Sequence, residues 1–135
     1  MSDVVQGILV GHGELADAML DAVEEIAGTR GGIVTLNNRG LTPRALEERL
    51  KQLAGDGPSV VFVDLPSGSC ALAARRLQFG HPHHIALVCG VNLPLLLDFL
   101  FNRELSLEEL VERLRAHVGV SIEHPPRDAD PSVPG

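Results

Sequence analysis

Short, uniformly apolar runs alternate along this chain with longer segments whose apolar residues recur at helical spacing. Residues 4–10, ending in Ile8-Leu9-Val10, read as a strand too apolar for either face to be wet. Residues 14–27 read as an amphipathic helix, with Leu15, Met19, Val23 and Ile26 as its stripe and Gly28 as its stop. Residues 33–36 form a short second strand, followed by the turn chemistry of Asn37-Asn38-Arg39-Gly40. Thr42 caps the next helix, Pro43 takes its first position, and Leu46, Leu50 and Leu53 mark its buried side. Val60-Val61-Phe62-Val63 is the clearest strand; it runs into a polar loop and then a helix over residues 69–79. Residues 85–88 make a fourth strand, and residues 93–101 look helical, with Pro94 tolerated in the first turn. Ser106 and Glu109 match a capping box for a last helix that runs to about residue 117. Val120-Ser121-Ile122 has the pattern of a short edge strand.

Strand and helix alternate four times, which argues an α/β fold: a doubly wound, mainly four-stranded parallel sheet with helices on both faces. Residues 1–123 are expected to form one domain; residues 124–135, rich in proline, have too little apolar content to fold and make a flexible tail. Ligands of such sheets gather at the carboxyl ends of the strands. The segments there are Gly11-His12-Gly13, Asn37-Asn38-Arg39, the loop Asp64-Leu65-Pro66-Ser67-Gly68-Ser69, and Gly90-Val91-Asn92. The topology therefore converges on His12 and Asp64.

Composition narrows the function. A chain of 135 residues with 44% hydrophobic content supports a real core, but aromatics are 3%, without Trp or Tyr. Base-stacking platforms for single strands are thereby disfavoured, and a net charge of −7 argues against a phosphate-backbone partner. No apolar run approaches the roughly 20 residues that span a bilayer. Met1-Ser2-Asp3 lacks a charged-then-apolar leader, so a cytoplasmic protein without membrane insertion is expected. Cys70 and Cys89 show neither metal spacing nor a disulfide framework.

A glycine-flanked histidine between a buried strand and a helix start is badly placed for packing and well placed to meet an anion. A neutral imidazole has one nucleophilic ring nitrogen. A carboxylate that accepts the other ring N–H fixes the tautomer and stabilises the positive ring formed on phosphorylation. Asp64 is the candidate for that role, with a plain helix N-cap as its lesser reading. The helix start at Gly13 offers free N–H groups and a positive dipole end to a phosphoryl dianion. Ser69 and the N–H groups of Ser67-Gly68-Ser69 add donors, although Ser69 also reads as an ordinary helix opener. Asn92 reads first as the cap of the helix after it. No Walker-type loop is present, so the donor is not expected to be a nucleotide, and no cofactor is expected. His81-Pro82-His83-His84 is a compositional metal hint without a carboxylate or cysteine beside it, so no metal site is expected.

These residues resemble the mannose-type enzyme IIA domains of the bacterial sugar phosphotransferase system. The resemblance spans residues 4–123 and rests on three motifs in order. They are Ile8-Leu9-Val10-Gly11-His12-Gly13-Glu14-Leu15-Ala16, Val63-Asp64-Leu65-Pro66-Ser67-Gly68-Ser69, and Gly90-Val91-Asn92-Leu93-Pro94-Leu95-Leu96. It implies that His12 receives a phosphoryl group from the histidine of the carrier protein HPr and passes it to a IIB partner, here a separate chain. It implies that Asp64 pairs with His12, that Ser69 lies near the phosphoryl group, and that the protein is a homodimer exchanging an antiparallel edge strand, for which Val120-Ser121-Ile122 is the candidate. Two positions depart from the family pattern: Ser67 replaces a glycine and Cys70 a proline. Other readings remain open at this point. They are a regulatory phosphohistidine module without sugar transport, the phosphotransfer subunit of a dihydroxyacetone kinase, and a flavodoxin-like small-molecule-binding domain.

Overall fold

A computed structural model describes residues 4–116 and residue 123. Strands β1 (Gln6–Gly11), β2 (Ile33–Asn37), β3 (Ser59–Val63) and β4 (Ile85–Cys89) alternate with helices α1 (Leu15–Ala27), α2 (Pro43–Ala54) and α3 (Ser69–Gly80), and α4 (Leu93–Leu100) and α5 (Leu107–Arg115) follow. The four strands form one sheet in the order β2-β1-β3-β4, and every pairing is parallel. The expected α/β fold and its four-stranded parallel sheet are what the structure has.

Alternate residues of the central strands serve opposite faces, as the pleat requires. Leu9, Val60 and Phe62 join α1, α4 and α5 residues such as Val23, Leu96 and Leu110 in one core. Ile8, Val10, Val61 and Val63 join α2 and α3 residues such as Leu46, Leu50 and Leu77 in the other. Aromatic poverty is met by one edge-to-face pair, Phe62 and Phe99, with ring centroids 5.2 Å apart at 82°. Gly7 leaves room for it: a Cβ there would sit 2.7 Å from the Phe99 ring. Arg103 fastens the start of β1, its Nε donating to the Val5 carbonyl at 2.8 Å while the Val5 N–H donates back to the Arg103 carbonyl at 3.0 Å.

The chain leaves β1 to build β2 on one side and returns to place β3 on the other. The sheet's switch point therefore lies between β1 and β3, where the crevice for ligands opens. Val10 pairs with Val63, so the two strands end at the same level. His12 and Asp64 follow them directly.

Several elements differ in detail from the sequence expectation. The buried side of α1 is Ala16, Leu20 and Val23, whereas Leu15 is 46% and Ile26 62% exposed. The cause is a close approach: a Cβ on Gly11 would lie 3.2–3.3 Å from the Ala16 backbone nitrogen and Cβ. Two small residues seat the helix on the strand end, and that contact sets its rotation. On α2 the third buried position is Ala54, with Leu53 half-buried. The expected caps are present. Thr42 Oγ1 accepts from Ala45 N–H at 3.1 Å, and Ser106 Oγ accepts from Glu109 N–H at 3.2 Å. Val120-Ser121-Ile122, residue 117 and the tail from residue 124 lie outside the described residues. Among the described residues β4 has a single sheet neighbour, β3, and no helix is long and apolar enough to cross a membrane.

Candidate active site

His12 stands just past β1, with its side chain 40% exposed; Asp64 stands just past β3, with its side chain 8% exposed. The Asp64 carboxylate holds the histidine at two points. Its Oδ2 accepts from the His12 backbone N–H at 3.0 Å, and its two oxygens lie 2.9 and 3.1 Å from the ring Nδ1. Burial works to raise the Asp64 carboxyl. The backbone and ring hydrogen bonds from His12, with the charge of that ring, outweigh it and leave the carboxyl below its ordinary value of 3.8. Asp64 is thus ionised at neutral pH and can only accept. The proton between the two groups belongs to Nδ1, and the lone pair of the neutral ring falls on Nε2. The arrangement orients an imidazole with its nucleophilic nitrogen turned away from the carboxylate.

Two helices start close to His12, and one of them faces that nitrogen. Helix α1 begins three residues after His12, and the Leu15 N–H already bonds the His12 carbonyl at 3.2 Å. Helix α3 begins at Ser69, with Gly68 as its N-cap residue and no side-chain cap. Gly68 faces the ring: a Cβ on it would lie 3.8 Å from His12 Cε1 and Nε2. Its φ of +97° is glycine territory, so backbone shape as well as space asks for glycine here. The free N–H groups and positive dipole end of α3 therefore start beside the ring edge.

The structure thus brings His12, Asp64 and Gly68 together: the Asp64 carboxylate bonds His12, and α3 has no side-chain cap. Gly13 has φ +59°, which turns the chain from β1 into α1. Ser67 is exposed and Ser69 half-buried. Asn92 is the cap it resembled, its Oδ1 accepting from Leu95 N–H at 2.9 Å. His81, His83 and His84 are exposed, at the entry to β4 and at the opposite edge of the sheet from His12.

One neighbour, Arg39, escaped sequence reasoning as a site residue, and Cys70 stood there only as a departure from the family pattern. Arg39 reaches over the loop, its guanidinium 3.4 Å from where a Gly13 Cβ would be and 3.9 Å from the Glu14 carboxylate. Its place in a post-strand turn was the available signal. Cys70, fully buried at the start of α3, lies under the pair; burial, and then the nearby Asp64 charge, push its thiol above the ordinary range.

A carboxylate-braced histidine at the switch point of a parallel α/β sheet is the class of site this fold defines. The family model described as the PTS system fructose IIA component, of EIIA-man type, matches residues 7–115, and the chain belongs to that family. Membership gives it a phosphotransfer role in the sugar phosphotransferase system. It is 33% identical over 117 residues to the sorbose-specific EIIA component of that system from Klebsiella pneumoniae, covering 84% of this chain and 86% of the relative. Its fold matches the EIIA component from Streptococcus agalactiae with a TM-score of 0.80 at 24% identity, over 87% of this chain and 96% of the other. The mannose/sorbose-specific IIA subunit from Enterococcus faecalis matches with a TM-score of 0.72 at 22% identity, over 90% and 96%.

Proposed function

We propose that this chain is a phosphocarrier in which Nε2 of His12 accepts a phosphoryl group from phospho-HPr and delivers it to a IIB partner. The observation that carries the reading is the Asp64 carboxylate on Nδ1 at 2.9 Å, which leaves Nε2 as the free nucleophile. In the first step the Nε2 lone pair forms a P–N bond as the bond from phosphorus to the HPr histidine breaks, the electron pair leaving with that nitrogen. The His12 ring then carries positive charge with a proton still on Nδ1, and ionised Asp64 balances it. Gly13, Ser67, Gly68 and Ser69 surround the transferred group with N–H and hydroxyl donors from the two helix starts. The second step reverses these bond changes toward the IIB acceptor. Phosphoryl transfer asks a protein mainly for position and charge compensation, and this set supplies both.

The surface around His12 suits protein partners. Leu15 (46% exposed), Leu65 (52%) and Leu72 (44%) stand on the segments that carry the site. Apolar side chains around a reactive histidine favour docking of another folded surface. The same reading includes a homodimer, in which an antiparallel strand from a second copy, with Val120-Ser121-Ile122 as candidate, covers the edge of β4. Among the described residues the outer edge of β4 has no sheet neighbour and Ala86, Leu87 and Val88 are partly exposed, which supports it.

The test is intact mass after incubation with enzyme I, HPr and phosphoenolpyruvate. The chain gains one phosphoryl group, His12→Ala gains none, and the label moves onto a IIB protein when one is added. A wild-type chain that stays unmodified overturns the reading.

A further inference from the structure

We propose that His12, Asp64 and Cys70 together bind a zinc-like divalent cation, and that the bound cation shuts off phosphoryl acceptance at His12. Metal binding stands by itself; the shut-off rests on the phosphocarrier reading above.

The three side chains offer an imidazole nitrogen, a carboxylate oxygen and a thiol sulfur, all within 4.8 Å of one another. Around a tetrahedral ion with bonds of about 2.0–2.3 Å, ligand atoms stand roughly 3.3–3.8 Å apart. The His12–Asp64 gap of 2.9 Å must open slightly, and the other separations, all within 4.8 Å, must fall in the same range. Three protein ligands leave a fourth position for water. The half-exposed His12 gives the ion its way in, while Cys70 forms the buried floor. A thiolate in the set selects zinc, cobalt or copper over magnesium and calcium, which take oxygen ligands.

A thiol ligates such an ion as the thiolate, so the Cys70 proton must leave when the ion binds. The ion bonds to Cys70 sulfur, an Asp64 oxygen and His12 Nδ1. The thiol proton goes to solvent; the Nδ1 proton is replaced by the metal bond, and the neutral ring carries its one proton on Nε2 instead. Each ion bound thus releases one proton in total. The consequence is chemical: an Nε2 that bears a proton has no lone pair to attack phosphorus. One ion removes both the nucleophile and the carboxylate that would balance the phosphorylated ring.

The experiment uses the full chain and Co²⁺ as the spectroscopic probe, with Zn²⁺ as competitor. A thiolate-to-cobalt charge-transfer band with tetrahedral visible bands is expected at one ion per chain, and Zn²⁺ abolishes both. Cys70→Ala and Cys70→Ser, each checked for folding by thermal melting, lose the band and weaken binding by at least about tenfold. Cys89→Ser and the combined His81→Asn, His83→Asn, His84→Asn variant keep it. A band that survives both Cys70 substitutions, or disappears with the histidine tract, overturns the site. In the phosphorylation mixture, Zn²⁺ at saturating occupancy blocks the wild-type chain while Cys70→Ala in the same mixture is still phosphorylated. Full phosphorylation of the zinc-loaded wild type overturns the shut-off. A metal-free chain that binds Co²⁺ through Cys70 yet never accepts phosphate leaves the site standing and defeats the phosphocarrier reading instead.

Discussion

Among the described residues two loops carry histidine, and they lie at opposite edges of the same sheet. His12 leaves β1 at the switch point, with a carboxylate from the end of β3 on one ring nitrogen and the start of α3 beside the other. His81, His83 and His84 precede β4, are exposed, and make no side-chain hydrogen bond among the described residues. Composition alone favours the second loop as a functional site, since it has three histidines to the other's one. Topology favours the first. A parallel sheet aims the free N–H ends of its following helices at the carboxyl edge and presents no such field at the other. A histidine acquires chemistry here from what the fold puts around it.

Substitutions at the two edges should separate accordingly. The largest effect belongs to His12→Ala, which abolishes phosphoryl uptake, as intact mass reads directly. Asp64→Asn keeps the shape of the side chain but removes its charge and its purely accepting character. Transfer to the variant should fall by about 100-fold or more, while His12 is still modified at long times. Rapid-quench phosphorylation measures the first effect, and denaturant unfolding measures how much of the loss is structural. Comparable wild-type and Asp64→Asn transfer rates would reduce Asp64 to a loop fastener.

The Asp64 pairing also sets a pH dependence. Its carboxyl is lowered in the folded state from an ordinary value of 3.8. The pair's contribution to stability is therefore complete above that value and is lost as pH falls through the lower folded-state value. Acid unfolding of wild type and Asp64→Asn should converge at the low end of that window and diverge above it. Gly68→Ala probes the opposite wall of the ring. A side chain at φ +97° costs about 1–3 kcal/mol in backbone strain. Its thermal midpoint should drop, with transfer slowed less than in Asp64→Asn. The smallest effects are expected across the sheet: single His81→Asn or His83→Asn exchanges shift stability by no more than about 0.5 kcal/mol and leave phosphorylation rates unchanged.

The layer order of the fold was legible because each strand carries its own run, such as Val60-Val61-Phe62-Val63, and each helix its own punctuation at Gly28, Thr42, Asn92 and Ser106. The rotation of α1 was not. A spaced row of large residues suggested Leu15 as buried, whereas the seat is made by the small pair Gly11 and Ala16. Such contacts between small residues leave no hydrophobic period in the sequence. The site was legible as a convergence of strand ends, and the choice between two roles for Asp64 was not, because a cap and a histidine brace use the same residue type. Only the register of Val10 with Val63 brings the carboxylate level with the ring. Arg39 and Cys70 depend on packing between loops and so left weaker traces.

The central claim is that Asp64 holds Nδ1 so that Nε2 does the chemistry. Nitrogen-resolved NMR of histidine-labelled protein, recorded before and after phosphorylation, tests it most directly. The account predicts one phosphorylated histidine, His12, with phosphorus bonded to Nε2 and a proton retained on Nδ1. Phosphorus on Nδ1, or on any other histidine, would contradict it.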